Sequence, residues 1–127
     1  MQELTHYING AHVAGASGRF SNVYNPATGE VQAKVPLASA DEMAQAVEIA
    51  AAAQVAWGAV NPQRRARVMM KFVDLLNRDM DALAEALSRE HGKTLPDAQG
   101  DVQRGLEVVE YCIGAPQLLK GEFTDSA

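Results

Sequence analysis

Apolar positions in residues 1–38 recur in short alternating runs, whereas from 39 to 116 they recur every three or four residues. The first pattern predicts half-buried strands and the second amphipathic helices, because side chains repeat every two residues in a strand and every 3.6 in a helix. Tyr7-Ile8-Asn9-Gly10-Ala11-His12-Val13 predicts a hairpin, since Asn-Gly suits the tight reversal between two strands. Ala14 to Gly18 reads as a small-residue loop, and Phe20 to Tyr24 as a second short strand. Asn25-Pro26-Ala27-Thr28-Gly29 is a turn by composition. Val31, Ala33, Val35 and Leu37 then alternate with polar or exposed positions, as along a half-buried strand.

Four helices are expected after that. The first starts at a cap on Ser39 or Asp41 and runs to about Trp57, with Met43, Val47, Ala50 and Trp57 on one face. Asn61 caps the second, with Pro62 at its first position. Met69, Phe72, Val73 and Leu76 form its apolar face, with Arg64, Arg65, Arg67 and Lys71 elsewhere. Asp79 opens the third, which places Met80, Leu83, Ala84 and Leu87 at helical spacing and closes on a left-handed Gly92. The fourth starts at Thr94, with Asp97 in the capping-box position, and ends near Gly114-Ala115-Pro116. Leu95, Ala98, Val102, Leu106, Val109 and Ile113 make its buried stripe. The polar segment Gly121 to Ala127 ends without the packing of a finished terminus. Helix faces need a partner layer, and no later strand supplies one; four amphipathic helices can make a core by themselves, and the pattern fits equally the start of something larger.

Composition narrows the function. The 127 residues have room for one domain, and 47% hydrophobic content can build a core. A net charge of -5 argues against a nucleic-acid partner, which needs clustered positive charge. No apolar run approaches the ~20 residues of a membrane span. The N-terminus has no signal-peptide pattern, and the single Cys112 fits a reducing cytoplasm.

No complete active site is visible. Cys112 lies late in the fourth helix, the wrong end for lowering a thiol pKa, and reads as a packing residue. His6, His12 and His91 lack metal-ligand spacing, so no metal site is expected. The glycines are too dispersed for a dinucleotide fingerprint, and Gly92-Lys93-Thr94 lacks the upstream glycine of a phosphate loop, because position 87 is Leu87. The fourth helix carries the one polar feature above background. Asp97, Asp101, Arg104 and Val108 share a second face, and Gly100 and Gly105 flank Arg104. Two mid-helix glycines point to close approach of another backbone or a ligand. Arg104 is then either half of an i,i+3 surface pair with Asp101 or a fork for a carboxylate, and spacing alone favours the pair.

Tyr7 to Val13, the Tyr24-Asn25-Pro26-Ala27-Thr28-Gly29-Glu30-Val31 segment, the Ala-rich helix ending in Ala56-Trp57, and Glu90-His91-Gly92-Lys93-Thr94 resemble, in order, the start of aldehyde dehydrogenases. Three narrower segments are similar to the CoA-acylating methylmalonate-semialdehyde (malonate-semialdehyde) branch. They are Asn61 to Arg67, Gly100-Asp101-Val102-Gln103-Arg104-Gly105-Leu106-Glu107, and Leu118-Leu119-Lys120-Gly121. The resemblance spans nearly the whole chain but only the opening part of a family member. It implies an α/β fold in which 1–38 are β-hairpins and turns, 39–116 helices and 117–127 a truncated tail, all belonging to an NAD-binding domain. It also implies NAD and coenzyme A as cofactors of the full-length enzyme, and a small carboxylated aldehyde as substrate. The product would be an acyl-CoA, with loss of carbon dioxide, and the assembly a homo-oligomer, dimer or tetramer. The family's nucleophilic Cys, its oxyanion-stabilising Asn and its nicotinamide-binding segments match nothing here. The chain alone is therefore expected to be inactive and to hold no catalytic or cofactor-binding residue. One role carries over: Arg104 matches an arginine that holds the substrate carboxylate. The competing readings are a truncated, non-enzymatic helical interaction module and a small bundle using Arg104 as an anion clamp.

Overall fold

A computed structural model describes residues 2–126. The chain divides after Ala59 into two compact units.

The first unit holds five strands and one helix. They are β1 (Gln2–Glu3), β2 (His6–Ile8), β3 (Ala11–Val13), β4 (Phe20–Tyr24), β5 (Val31–Pro36) and α1 (Ala40–Ala59). The Asn-Gly hairpin forms as expected: β2 and β3 pair antiparallel, and Asn9 and Gly10 take φ of 54° and 75°. Strands β4 and β5 form a second antiparallel pair, with a bulge at Val23/Tyr24. The Asn25 turn closes on itself. Asn25 Oδ1 accepts from Ala27 N at 2.9 Å, Asn25 O accepts from Gly29 N at 2.8 Å, and Gly29 has φ 75°. Strand β1 was not expected; it lies parallel to β5 and completes the order β1-β5-β4. Two residues carry too little pattern to reveal a strand.

Helix α1 is capped by Ser39 rather than Asp41. Ser39 Oγ accepts from Glu42 N at 3.2 Å, and Glu42 Oε2 accepts from Ser39 N at 2.8 Å, a reciprocal capping box. The expected apolar face is incorrect. Met43, Val47, Ala50 and Trp57 are exposed, and Glu42, Ala46 and Ile49 are the half-buried side. In an Ala-rich helix most faces are comparably apolar, so periodicity does not select the inner one.

The second unit is helical: α2 (Pro62–Arg78), α3 (Met80–His91), α4 (Leu95–Ile113) and a short α5 (Ala115–Leu118). There are thus five helices among the described residues, and the last reaches two residues into the expected tail. Helix α4 packs against both α2 and α3. The contacts run through small residues, since Ala66, Ala84, Ala98 and Leu106 are the buried hydrophobics of this unit. Asn61 caps α2 as expected, its Oδ1 accepting from Gln63 N at 2.9 Å. Gly92 ends α3 at φ 82°.

Several expectations fail in detail. Asp79 precedes α3 without capping it, because its carboxylate accepts two bonds from Arg78, at 2.8 and 2.6 Å. Thr94 precedes α4 without a side-chain cap; Pro96 at the second helical position has no N–H to offer it. The inner face of α2 excludes Phe72, which is exposed, and extends one turn earlier than expected to half-buried Arg65 beside buried Ala66. Leu95 and Cys112 are exposed, so neither packs within this chain as expected. Cys112 falls between the stripe positions Val109 and Ile113 and points off the seam.

Candidate functional site

Arg104 sits midway along α4, whose stripe of Ala98, Val102, Leu106, Val109 and Ile113 faces inward. The helical turn places Asp101 three residues earlier on the adjoining flank, within reach of the guanidinium. Arg104 Nη2 donates to Asp101 Oδ1, and the Arg104 side chain is 70% exposed. One of its five N–H groups is engaged by that bond, and the fork otherwise faces outward. The guanidinium lies over Gly100, where an added Cβ would stand 3.8 Å from Arg104 Nη1, an ordinary contact. At Gly105 an added Cβ would meet nothing within 4 Å. The close backbone approach expected at these two glycines is therefore not seen among the described residues.

The structure adds a residue that spacing did not single out for this site. Lys93, in the connection between α3 and α4, donates from Nζ to Asp101 Oδ2. Each Asp101 oxygen thus accepts from a different cation. The two charge-assisted bonds, from Lys93 first and Arg104 second, hold the Asp101 carboxyl below the usual carboxylate range, so it stays ionised. In the sequence Lys93 stands in a broken phosphate-loop motif and in the Glu90 to Thr94 family segment, and neither points to Asp101. Its partner lies eight residues away across a helix start, beyond any helical period. Asp97 and Val108, the other members of the expected face, are exposed and take no part in this cluster.

The first unit holds a second polar arrangement with a structural role. Glu42 Oε1 accepts from Ala16 N at 2.6 Å while Oε2 serves the α1 cap. These backbone donors pull the Glu42 carboxyl down from 4.5 to about 2. Beside it His6, Tyr7, Ile8, Ala38, Met43 and Ala46 line an open hollow of about 230 Å³. His12 Nδ1 lies 2.9 Å from Thr5 Oγ1, and His91 is the last residue of α3. Among the described residues, no three His, Cys, Asp or Glu side chains converge as a metal site would need. Among the described residues, no single helix is long and apolar enough to cross a membrane.

The sequence model of the aldehyde dehydrogenase family matches residues 12–127. The chain belongs to that family. This aldehyde dehydrogenase chain is 45% identical over 124 residues to a malonate-semialdehyde dehydrogenase of Pseudomonas aeruginosa, covering 98% of the chain and 25% of that relative. A structure described as a methylmalonate-semialdehyde dehydrogenase of Sinorhizobium meliloti complexed with NAD superposes with a TM-score of 0.94 at 64% identity. It matches 100% of the chain over 26% of its own length. The methylmalonate-semialdehyde dehydrogenase of Oceanimonas doudoroffii gives a TM-score of 0.92 at 45% identity, covering 96% of the chain and 25% of its own. The aldehyde dehydrogenase chain thus spans about a quarter of the length of the curated relatives it matches.

Proposed function

We propose that the chain works as part of an NAD-dependent, CoA-acylating semialdehyde dehydrogenase. Its substrate would be malonate or methylmalonate semialdehyde, and carbon dioxide is lost as the acyl group passes to coenzyme A. Arg104 is the residue of this chain that meets the substrate. The observation that carries the reading is the exposed guanidinium, held at one N–H by Asp101 and open on the rest of its fork. A semialdehyde with a carboxylate tail needs a cation at a fixed distance from the reacting carbonyl, and a planar fork matches a carboxylate with two parallel bonds. The names of relatives more than 40% identical over almost the whole chain support the same substrate class.

The described residues contain no Gly-rich turn between a strand and a helix that could cradle a dinucleotide's phosphates. NAD would supply the whole enzyme with a hydride acceptor, and none of the described residues is assigned to hold it. Exposed Met43, Val47, Val55 and Trp57 on α1, and Leu118, Leu119 and Phe123 near the end, favour this reading over a self-contained interaction module. A module folding for itself would cover such side chains.

Arg104→Leu in the full-length enzyme tests the assignment. The KM for the carboxylated semialdehyde should rise about 100-fold, as expected when one partner of a charge pair is removed. The KM for an uncharged aldehyde of similar size should move far less. Equal losses on both substrates reject the role.

A further inference from the structure

Lys93 occupies the three-residue connection between α3 and α4, where two features set its direction. Gly92 turns the chain at φ 82°, and Ser88 Oγ donates to the Lys93 carbonyl at 2.7 Å. The Lys93 side chain is only 19% exposed, and its ammonium donates to one oxygen of Asp101 while Arg104 holds the other. A lysine so nearly covered is costly unless paired, and its one ion-pair partner among the described residues is this carboxylate.

The charge count gives the arrangement a purpose. Asp101 and Arg104 alone would be a neutral pair, in which the carboxylate is free to turn both oxygens toward the guanidinium and occupy its paired N–H groups. An arriving anion would then meet a cation already satisfied, with a like charge beside it. Lys93 ties down the second oxygen and brings the cluster to a net charge of +1. A substrate carboxylate completes two positive and two negative charges.

We propose that Lys93 is a positioning residue for substrate binding, which acts through Asp101 to keep the outer N–H groups of Arg104 open for the substrate carboxylate. The proposal rests on the carboxylate-binding role given to Arg104 above.

The test is steady-state kinetics of the full-length enzyme on malonate semialdehyde and on propanal, which lacks the carboxylate. The variants are Lys93→Gln, Lys93→Arg, Arg104→Leu and the Lys93→Gln/Arg104→Leu double mutant. Lys93→Gln keeps a hydrogen-bond donor and removes only the charge. It should raise the ratio of the two KM values about fivefold, with kcat on the semialdehyde changing less than KM. Lys93→Arg should bring the ratio back toward the wild-type value. In the Arg104→Leu background, Lys93→Gln should add little, because the group it positions is gone.

A raised ratio in Arg104→Leu with none in Lys93→Gln overturns the proposal and leaves the Arg104 reading standing. An equal rise from Lys93→Gln with and without Arg104 also overturns it, since Lys93 would then act by another route. No rise in Arg104→Leu removes the Arg104 reading and the proposal together. If Lys93→Gln yields no folded enzyme, Lys93→Arg decides, because a charge at this position should preserve the ratio and an Arg104→Leu-like ratio would overturn the proposal.

Discussion

Helices α1 and α4 are nearly equal in length, 20 and 19 residues, yet they earn their places differently. No residue of α1 is buried, whereas α4 buries Ala98 and Leu106 against two neighbouring helices. Helix α1 is anchored at its start, by the Ser39–Glu42 capping box and the bond from Ala16 N to Glu42. Helix α4 has no side-chain cap at Thr94 and is held along its length by packing. Two helices of the same size in one chain thus show that a hydrogen-bonded start and a buried seam are alternative means of fixing a helix. Only the seam leaves a periodic trace in the sequence.

The largest separation between the two should come from truncating apolar side chains. In the 127-residue chain taken alone, Leu106→Ala in α4 should destabilise its unit by about 2–4 kcal/mol in urea unfolding, while Val47→Ala on α1 should stay within about 0.5 kcal/mol. A comparable loss at Val47 would break the contrast. Glycine substitutions come next. A Cβ at Gly15 would lie 2.7 Å from Pro36 Cβ, so Gly15→Ala should cost about 1–3 kcal/mol through forced repacking. Gly105→Ala meets open space and should stabilise α4 by about 0.5–1 kcal/mol through helix propensity. Caps follow: Asn61→Ala should cost about 1 kcal/mol, and Thr94→Ala distinctly less, because only Asn61 makes a side-chain cap bond. The smallest effect is a pH dependence in the first unit. Glu42 titrates near 2 when folded and near 4.5 otherwise, so its contribution is complete above 4.5 and lost as pH falls toward 2. The stability difference between wild type and Glu42→Gln should therefore shrink across that window. A difference independent of pH would remove the carboxylate from the anchoring of α1.

Much of the fold was legible where local chemistry dictates geometry. Asn9-Gly10, the Asn25 turn, Asn61-Pro62 and Gly92 each do what their residue types demand, because φ preferences and side-chain acceptors act over two or three residues. What failed depended on a neighbour. Asp79 and Thr94 are good caps by type, but Arg78 claims one carboxylate and Pro96 removes a donor from the other helix start. The inner side of α1 was misread because alanine marks no face, and β1 was invisible because its pairing partner is β5, some thirty residues away. The candidate site divided the same way. Asp101 and Arg104 follow from an i,i+3 spacing, while Lys93 reaches the same carboxylate around a turn that no period describes.

The helix contacts through Ala66, Ala84 and Ala98 set limits on how this segment can diverge over evolutionary time. Ala84 and Ala98 have no exposed surface at all, and helices meeting through methyl groups sit near the short end of the usual interaxial range, about 8 Å. Any one of these positions can drift to glycine or serine, but a larger side chain must wait for a compensating loss on the opposing helix. Substitutions there should therefore enter lineages in linked pairs, whereas the exposed polar positions of α1, such as Asp41 and Glu48, are free to change one at a time.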